Sequence, residues 1–152
     1  MHKMKIIKYS KLNPPYNIEK IKIKEIKKFG IKITKKMHEN FTKISGDRSL
    51  IHTDKKFSIK NGFKDKIGYA FLLSNILSKI YGEFFPGGTE LCLQHYEKFI
   101  KPYYVNDFLI IRIKVIQKNT TAKLITLEVN IESNNSLIYF DRINKINGIN
   151  SS

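Results

Sequence analysis

Hydrophobic positions change their period along the chain, and the change predicts the architecture. Residues 18–27, IEKIKIKEIK, alternate partly with period two and predict a strand, which Gly30 ends. Thr34 then offers an N-cap for a helix over 35–44, where Met37, Phe41 and Ile44 recur at i, i+4 and i+7 on one face. Gly46 is a natural stop for that helix. Residues 55–66, KKFSIKNGFKDK, predict a short helix and loop, with Asp54 as its N-cap and two buried phenylalanines. Residues 67–82, IGYAFLLSNILSKIYG, are the most apolar stretch. They predict a helix that is apolar nearly all round and therefore central to the fold. FFPGG, residues 84–88, breaks the chain after it.

From there the pattern becomes β. TELCLQHYEKFI (89–100), FLIIRIKVIQK (108–118), AKLITLEVNIES (122–133) and SLIYFDRINKI (136–146) read as four strands. Turn signals separate them: Pro102 and Asn106-Asp107, then Asn119-Thr120, then Asn134-Asn135, the last a hairpin signal. The sum is an α+β chain in which a long antiparallel sheet wraps one buried helix. Its 152 residues suffice for a single domain with a real core, preceded by a lead-in of about 1–17 that carries Pro14-Pro15.

Composition narrows the classes. Hydrophobic residues make up 41% of the chain, which excludes disorder as a whole. No apolar run reaches the roughly 20 residues of a membrane span, and the basic N-terminus lacks the apolar core and cleavage site of a signal peptide. A single Cys92 excludes a disulfide framework and Cys-type metal spacing. The expectation is a cytoplasmic protein. The net charge of +15 suits an acidic partner: nucleic acid, a phosphate-bearing cofactor such as coenzyme A, or an acidic carrier protein. Those cations are almost all lysines spread along the chain, beside abundant Asn and Ile, as biased composition alone also produces. The aromatics form no base-stacking motif, so nucleic acid ranks last.

Candidate chemistry concentrates in FTKISGDRSLIHTD, residues 41–54. Asp47 follows a glycine just past a helix end, and His52 comes five residues later. A carboxylate and an imidazole are the usual equipment for moving a proton to or from water near neutral pH. No nucleophilic Ser or Cys stands at an elbow spacing, so the pair suggests water activation rather than covalent catalysis. The bland alternative is a capping Asp and a surface His. Arg48 is expected to be a solvated neighbour, His38 to lie on the helix exterior, and His95 to be a strand-face residue.

Taken in order, these features resemble the MaoC-like family, the (R)-specific enoyl-CoA hydratases. Phe41, Ile44, Ser45, Gly46, Asp47, His52 and Asp54 match its first block; Pro86-Gly87, Phe99, Pro102 and Asp107 match later ones with spacing kept. The resemblance implies a hot-dog fold working as a dimer with sheets joined edge to edge. It implies that Asp47 and His52 activate a water for attack on C3 of a trans-2-enoyl thioester, with a backbone N–H at the start of the central helix, that of Ala70, polarising the thioester carbonyl. Ser45, Gly46, Tyr69, Ser74 and Asn75 would then contact substrate or shape its pocket. No metal or bound cofactor is implied; coenzyme A or phosphopantetheine would belong to the substrate. Two departures stand out. The family's Asn-Pro between Asp and His is Ser49-Leu50, which removes a proline from the loop that places His52. The family's His-Gly at the helix start is Tyr69-Ala70, where a Cβ crowds the close approach that Gly permits. Tyr69 either shapes the acyl pocket or is a core aromatic; Asn75 either orients the catalytic loop or is a satisfied buried amide. A hot-dog thioesterase and a catalytically inactive hot-dog binding or scaffold protein are the competing readings.

Overall fold

The computed structural model describes residues 4–6, 17–88 and 90–147. Six strands and four helices follow in the order β1 (Met4–Ile6), β2 (Ile26–Lys32), α1 (Lys35–Ser45), α2 (Leu50–Thr53), α3 (Lys55–Lys60), α4 (Ala70–Glu83), β3 (Glu90–Phe99), β4 (Phe108–Asn119), β5 (Leu124–Ser133) and β6 (Ser136–Asn147). One sheet runs β1-β2-β4-β5-β6-β3. β1 joins β2 in parallel, and every other pairing is antiparallel.

Period-two burial builds the inner face of this sheet. Leu109, Ile111, Ile113 and Val115 on β4, and Ile125, Leu127, Val129 and Ile131 on β5, are all fully buried. Bulges between Val115 and Gln117 and between Cys92 and Gln94 help the sheet curve. α4 supplies Leu72, Leu73, Ile76, Leu77, Ile80 and Tyr81 to the same core. Each such aliphatic side chain contributes about 1.5–3 kcal/mol on burial. The result is the hot-dog arrangement: a long sheet wrapped round one apolar helix. At the β5–β6 hairpin, Asn134 and Asn135 take φ of 49° and 60°, the left-handed pair that a tight primed turn requires.

Several expected features differ. Residues 18–20 form one 3-10 turn, and the strand starts at Ile26 rather than 18. Lys and Ile alternate on both sides of that point, so position is decided by pairing with β4. Gly30 does not end the strand; it pairs with Ile110 inside it, where a Cβ would meet the Phe108 ring at 2.7 Å. The central helix begins at Ala70, with 67–69 extended before it. Phe57 is exposed and Phe63 half-buried, because α3 lies on the outside of the fold with only Ser58 buried. Ile44 is 85% exposed at the last turn of α1, whereas Met37 and Phe41 pack against the core. Pro14-Pro15 and most of the lead-in lie outside the described residues. Thr34 and Asp54 cap as expected, accepting from the amides of Met37 and Phe57. Among the described residues no helix is long and apolar enough to cross a membrane.

Candidate active site

α1 ends at Gly46, whose φ of 70° turns the chain into the loop that carries both candidate residues. Ser45 donates to the Phe41 carbonyl and accepts from the Asp47 amide, so it secures the turn. The Asp47 carboxylate accepts from the Ser49 hydroxyl and, at 2.9 Å, from the Ser49 amide. The Ser49 hydroxyl first, and then its amide, hold that carboxyl below the usual carboxylate range. Asp47 therefore stays ionised. The loop without Asn-Pro is still ordered locally: Leu50–Thr53 closes a single helical turn, with the Asp54 amide donating to the Leu50 carbonyl at 2.8 Å. His52 rides on that turn.

Three contacts hold His52, two on its ring and one on its backbone. Its Nδ1 lies 2.9 Å from the Ile67 carbonyl. A carbonyl only accepts, so Nδ1 carries the proton, and in the neutral ring Nε2 keeps its lone pair. The ring stacks on Tyr69 with centroids 4.1 Å apart. Its own carbonyl accepts from His38 Nε2 at 2.9 Å. His38 was expected on the outside of α1. It is instead 4% exposed, because its ring packs against Tyr69 and reaches the His52 backbone. Burial pushes its pKa down, which keeps the ring neutral with Nε2–H as the donor.

Tyr69 connects the parts. It is 2% exposed, donates from its hydroxyl to the Asp47 carbonyl at 2.9 Å, and shares a 2.8 Å hydrogen bond with Thr42 of α1. One side chain thus supports the His52 ring and ties down the Asp47 backbone. Tyr69→Phe keeps the ring stack and loses both hydroxyl bonds. It is expected to cost about 1 kcal/mol of stability and to lower turnover several-fold while leaving KM near its starting value; thermal unfolding and steady-state kinetics check it.

Two further residues, which the motif reading did not single out, set the start of α4. Tyr103 is buried, donates to the Tyr69 carbonyl at 2.6 Å, and accepts through its own carbonyl from the Gly68 amide at 2.7 Å. A Cβ on Gly68 would lie 2.2 Å from the Tyr103 ring. With Tyr103 held at both ends, the ring has little room to yield. Gly68→Ala is expected to destabilise by about 1–3 kcal/mol, seen as a lower denaturation midpoint at unchanged slope.

A cavity of about 360 Å³ opens at this point, lined among others by His52, Gly68, Ala70, Leu73, Phe99 and Tyr103. The Ala70 N–H, at the first position of α4, has no acceptor among the described residues. A second cavity of about 490 Å³ touches His52 from the α1 side and carries Lys43 and Lys66. His52 and Ala70 thus face one cavity. Asp47 lines neither of these two cavities and makes no hydrogen bond to His52 among the described residues. Ser74 and Asn75 point elsewhere: Ser74 donates to Glu97, and Asn75 faces a separate apolar cavity of about 600 Å³ between α1 and α4. Arg48 is exposed. No group of three or more His, Cys, Asp or Glu among the described residues is placed to hold a metal ion.

Comparison with known proteins agrees with this frame. The R-hydratase PhaJ1 from Pseudomonas aeruginosa superposes with a TM-score of 0.79 at 17% identity, over 86% of this chain and 84% of that one. The (R)-hydratase from A. caviae involved in PHA biosynthesis gives 0.80 at 18% identity, over 86% and 99%. The C-terminally truncated HadBC (3R-hydroxyacyl-ACP dehydratase) complex from Mycobacterium tuberculosis gives 0.67 at 10%, over 81% and 96%. No curated protein matches the chain. The family model of the MaoC-like domain matches residues 19–136, well over half of the sequence, and the chain belongs to the MaoC-like domain family.

Proposed function

We propose that the protein is a hydro-lyase that adds water to trans-2-enoyl thioesters, or removes it from (R)-3-hydroxyacyl thioesters, of coenzyme A or an acyl carrier protein. The observation that carries this reading is the 2.9 Å contact of His52 Nδ1 with the Ile67 carbonyl, which leaves Nε2 as a proton acceptor, on a residue that lines one cavity together with Ala70. In the hydration direction the thioester oxygen accepts from the Ala70 N–H, which draws electron density from C3. His52 Nε2 and the Asp47 carboxylate hold a water and take its proton as its oxygen bonds to C3. The proton returns to C2, so water is added across the double bond and no other reactant is consumed. Coenzyme A or phosphopantetheine belongs to the substrate, and no resident cofactor takes part.

Charge supports the same reading. Lys43 and Lys66 at one cavity and Lys101 at the other give an acidic thiol carrier a cationic approach. Assembly belongs to the reading as well. Among the described residues β3 stands at the end of the sheet beside β6, and Leu91, Leu93, Tyr96, Phe99 and Ile100 are exposed along or next to it. A second copy joined there would cover an apolar edge that a lone chain leaves open. A cytoplasmic location suits a chain whose single cysteine, Cys92, is exposed.

The test offers enoyl-CoA and enoyl-carrier substrates and follows enoyl absorbance together with free thiol. Loss of the enoyl signal without thiol release is expected. Thiol release would instead identify a thioesterase.

A further inference from the structure

The two short helices that follow Asp47 present an outer surface that the proposed reaction does not use. Asp54 closes α2 and caps α3, so the helices follow one another without a linker. One residue anchors α3. Ser58 is its only buried side chain and donates to the Asp65 carbonyl at 2.8 Å, while the Phe63 amide donates to the Ser58 carbonyl at 3.2 Å. At about 3.6 residues per turn, Lys56 and Lys60 then lie on the side opposite Ser58, with Phe57 and Ile59 on its flanks.

Two properties coincide on this surface. The first is charge. Residues 48–66 hold six cations, Arg48, Lys55, Lys56, Lys60, Lys64 and Lys66, against two carboxylates, Asp54 and Asp65. That is roughly twice the net charge that an even spread of the chain's +15 would place there. Lys55 pairs with Asp65 at 3.0 Å, and the Lys64 ammonium sits over the Tyr104 ring at 4.1 Å. Arg48, Lys56, Lys60 and Lys66 make no ion pair among the described residues, and the first three are exposed. The second property is apolar exposure. Leu50 on α2 and Phe57 and Ile59 on α3 are large hydrophobic side chains left open to solvent between those cations.

Together they narrow the occupant. A second copy of this chain would set cation against cation. The phosphates of coenzyme A answer the lysines but leave three apolar side chains uncovered. Nucleic acid binds through a series of stacking rings, and α3 offers one phenyl group, Phe57. An acidic amphipathic helix answers both properties. The position agrees. His52 and Thr53 of α2, with Lys66, line the cavity of about 490 Å³ on the α1 side of His52, so a thioester arm that enters there starts beside this surface. We propose that α2 and α3 are the docking surface for an acidic acyl carrier protein: a helix of the carrier covers Leu50, Phe57 and Ile59, its carboxylates meet Arg48, Lys56 and Lys60, and its thioester arm enters beside Lys66. The proposal rests on the hydratase reading for what the arm delivers.

Binding tests it without requiring turnover. A bacterial acyl carrier protein bearing a saturated hexanoyl group is titrated calorimetrically into the wild type, into the double variant Lys56→Glu/Lys60→Glu and into Ile59→Ser, beside hexanoyl-CoA. All three positions are exposed, so circular dichroism of the variants should match the wild type. Carrier binding is expected to weaken about tenfold or more in the double variant, about threefold or more in Ile59→Ser, and with added salt in the wild type. Affinity for hexanoyl-CoA should change by less than about threefold. Equal losses for carrier and hexanoyl-CoA would assign the lysines to the arm's phosphates and overturn the docking surface. No carrier binding, or carrier binding that ignores the charge reversal, overturns it as well. So do phosphatidylserine vesicles that bind the wild type, release the carrier and miss the double variant, which would make the surface a membrane contact. A carrier that docks as expected but whose crotonyl group is not hydrated supports the surface and counts against the hydratase reading alone.

Discussion

Replacing His52 by alanine is expected to lower kcat/KM for enoyl thioester hydration by about 100-fold or more, with little change in the fold. The ring does two separable things. It keeps a lone pair on Nε2 because Nδ1–H is spent on the Ile67 carbonyl, and it stacks on Tyr69. Its backbone carbonyl, the acceptor for His38, survives the substitution. The scaffold round the site is therefore retained, and far-ultraviolet circular dichroism should match the wild type. Added imidazole distinguishes lost proton transfer from lost packing: partial, saturable rescue is expected. A variant that unfolds, or that imidazole leaves at the level without imidazole, would place the ring in a structural role instead.

Asp47→Asn is expected to cost a similar factor, about 100-fold, mainly in kcat, with the melting temperature nearly unchanged. The substitution is informative because of what it keeps. An asparagine Oδ1 still accepts from the Ser49 hydroxyl and amide, so the turn holds while the charge goes. The residue is only half-buried and its charge faces no cationic partner among the described residues, so little stability depends on that charge. Its carboxyl is held below the usual carboxylate range. Activity that depends on its ionised form is therefore fully present above the ordinary carboxylate pKa and falls only as pH drops through the lower, folded-state value. A kcat–pH profile reads this directly, provided the fold survives at the acid end. Ser49→Ala should move that acid limb upward toward the ordinary range while reducing kcat far less than Asp47→Asn does.

How much of this was legible beforehand follows from which interactions are local. The four C-terminal strands are separated by asparagine turns, and β4 and β5 alternate in burial, so local signals place these strands to within about two residues. The caps at Thr34 and Asp54 are likewise local. β2 lies at Ile26–Lys32 rather than at 18–27 because IKIKEI fits the pattern as well as IKKFGIK does, and only pairing with β4 chooses between them. The candidate site divides the same way. Asp47 and His52 are picked out by residue type and spacing, and Ala70 by the family resemblance. Their supports are not: His38 is drawn inside by Tyr69 and by a carbonyl fourteen residues away, and Gly68 is constrained by a ring thirty-five residues on. His95, expected as an ordinary face residue, joins an acidic network that only the β3–β6 register assembles. The departures from the family pattern resolve physically. Ser49 ties the loop to Asp47 in place of a proline, and Tyr69 braces both candidate residues.

The most direct measurement is the configuration and rate of the product formed from a crotonyl thioester, offered on coenzyme A and on a carrier protein. Wild type is assayed beside His52→Ala and Asp47→Asn. The account predicts an (R)-3-hydroxybutyryl thioester from the wild type on at least one carrier, and about one hundredth of that rate or less from either variant. A wild type that leaves the enoyl group intact on both carriers, or variants that match it, would contradict the account.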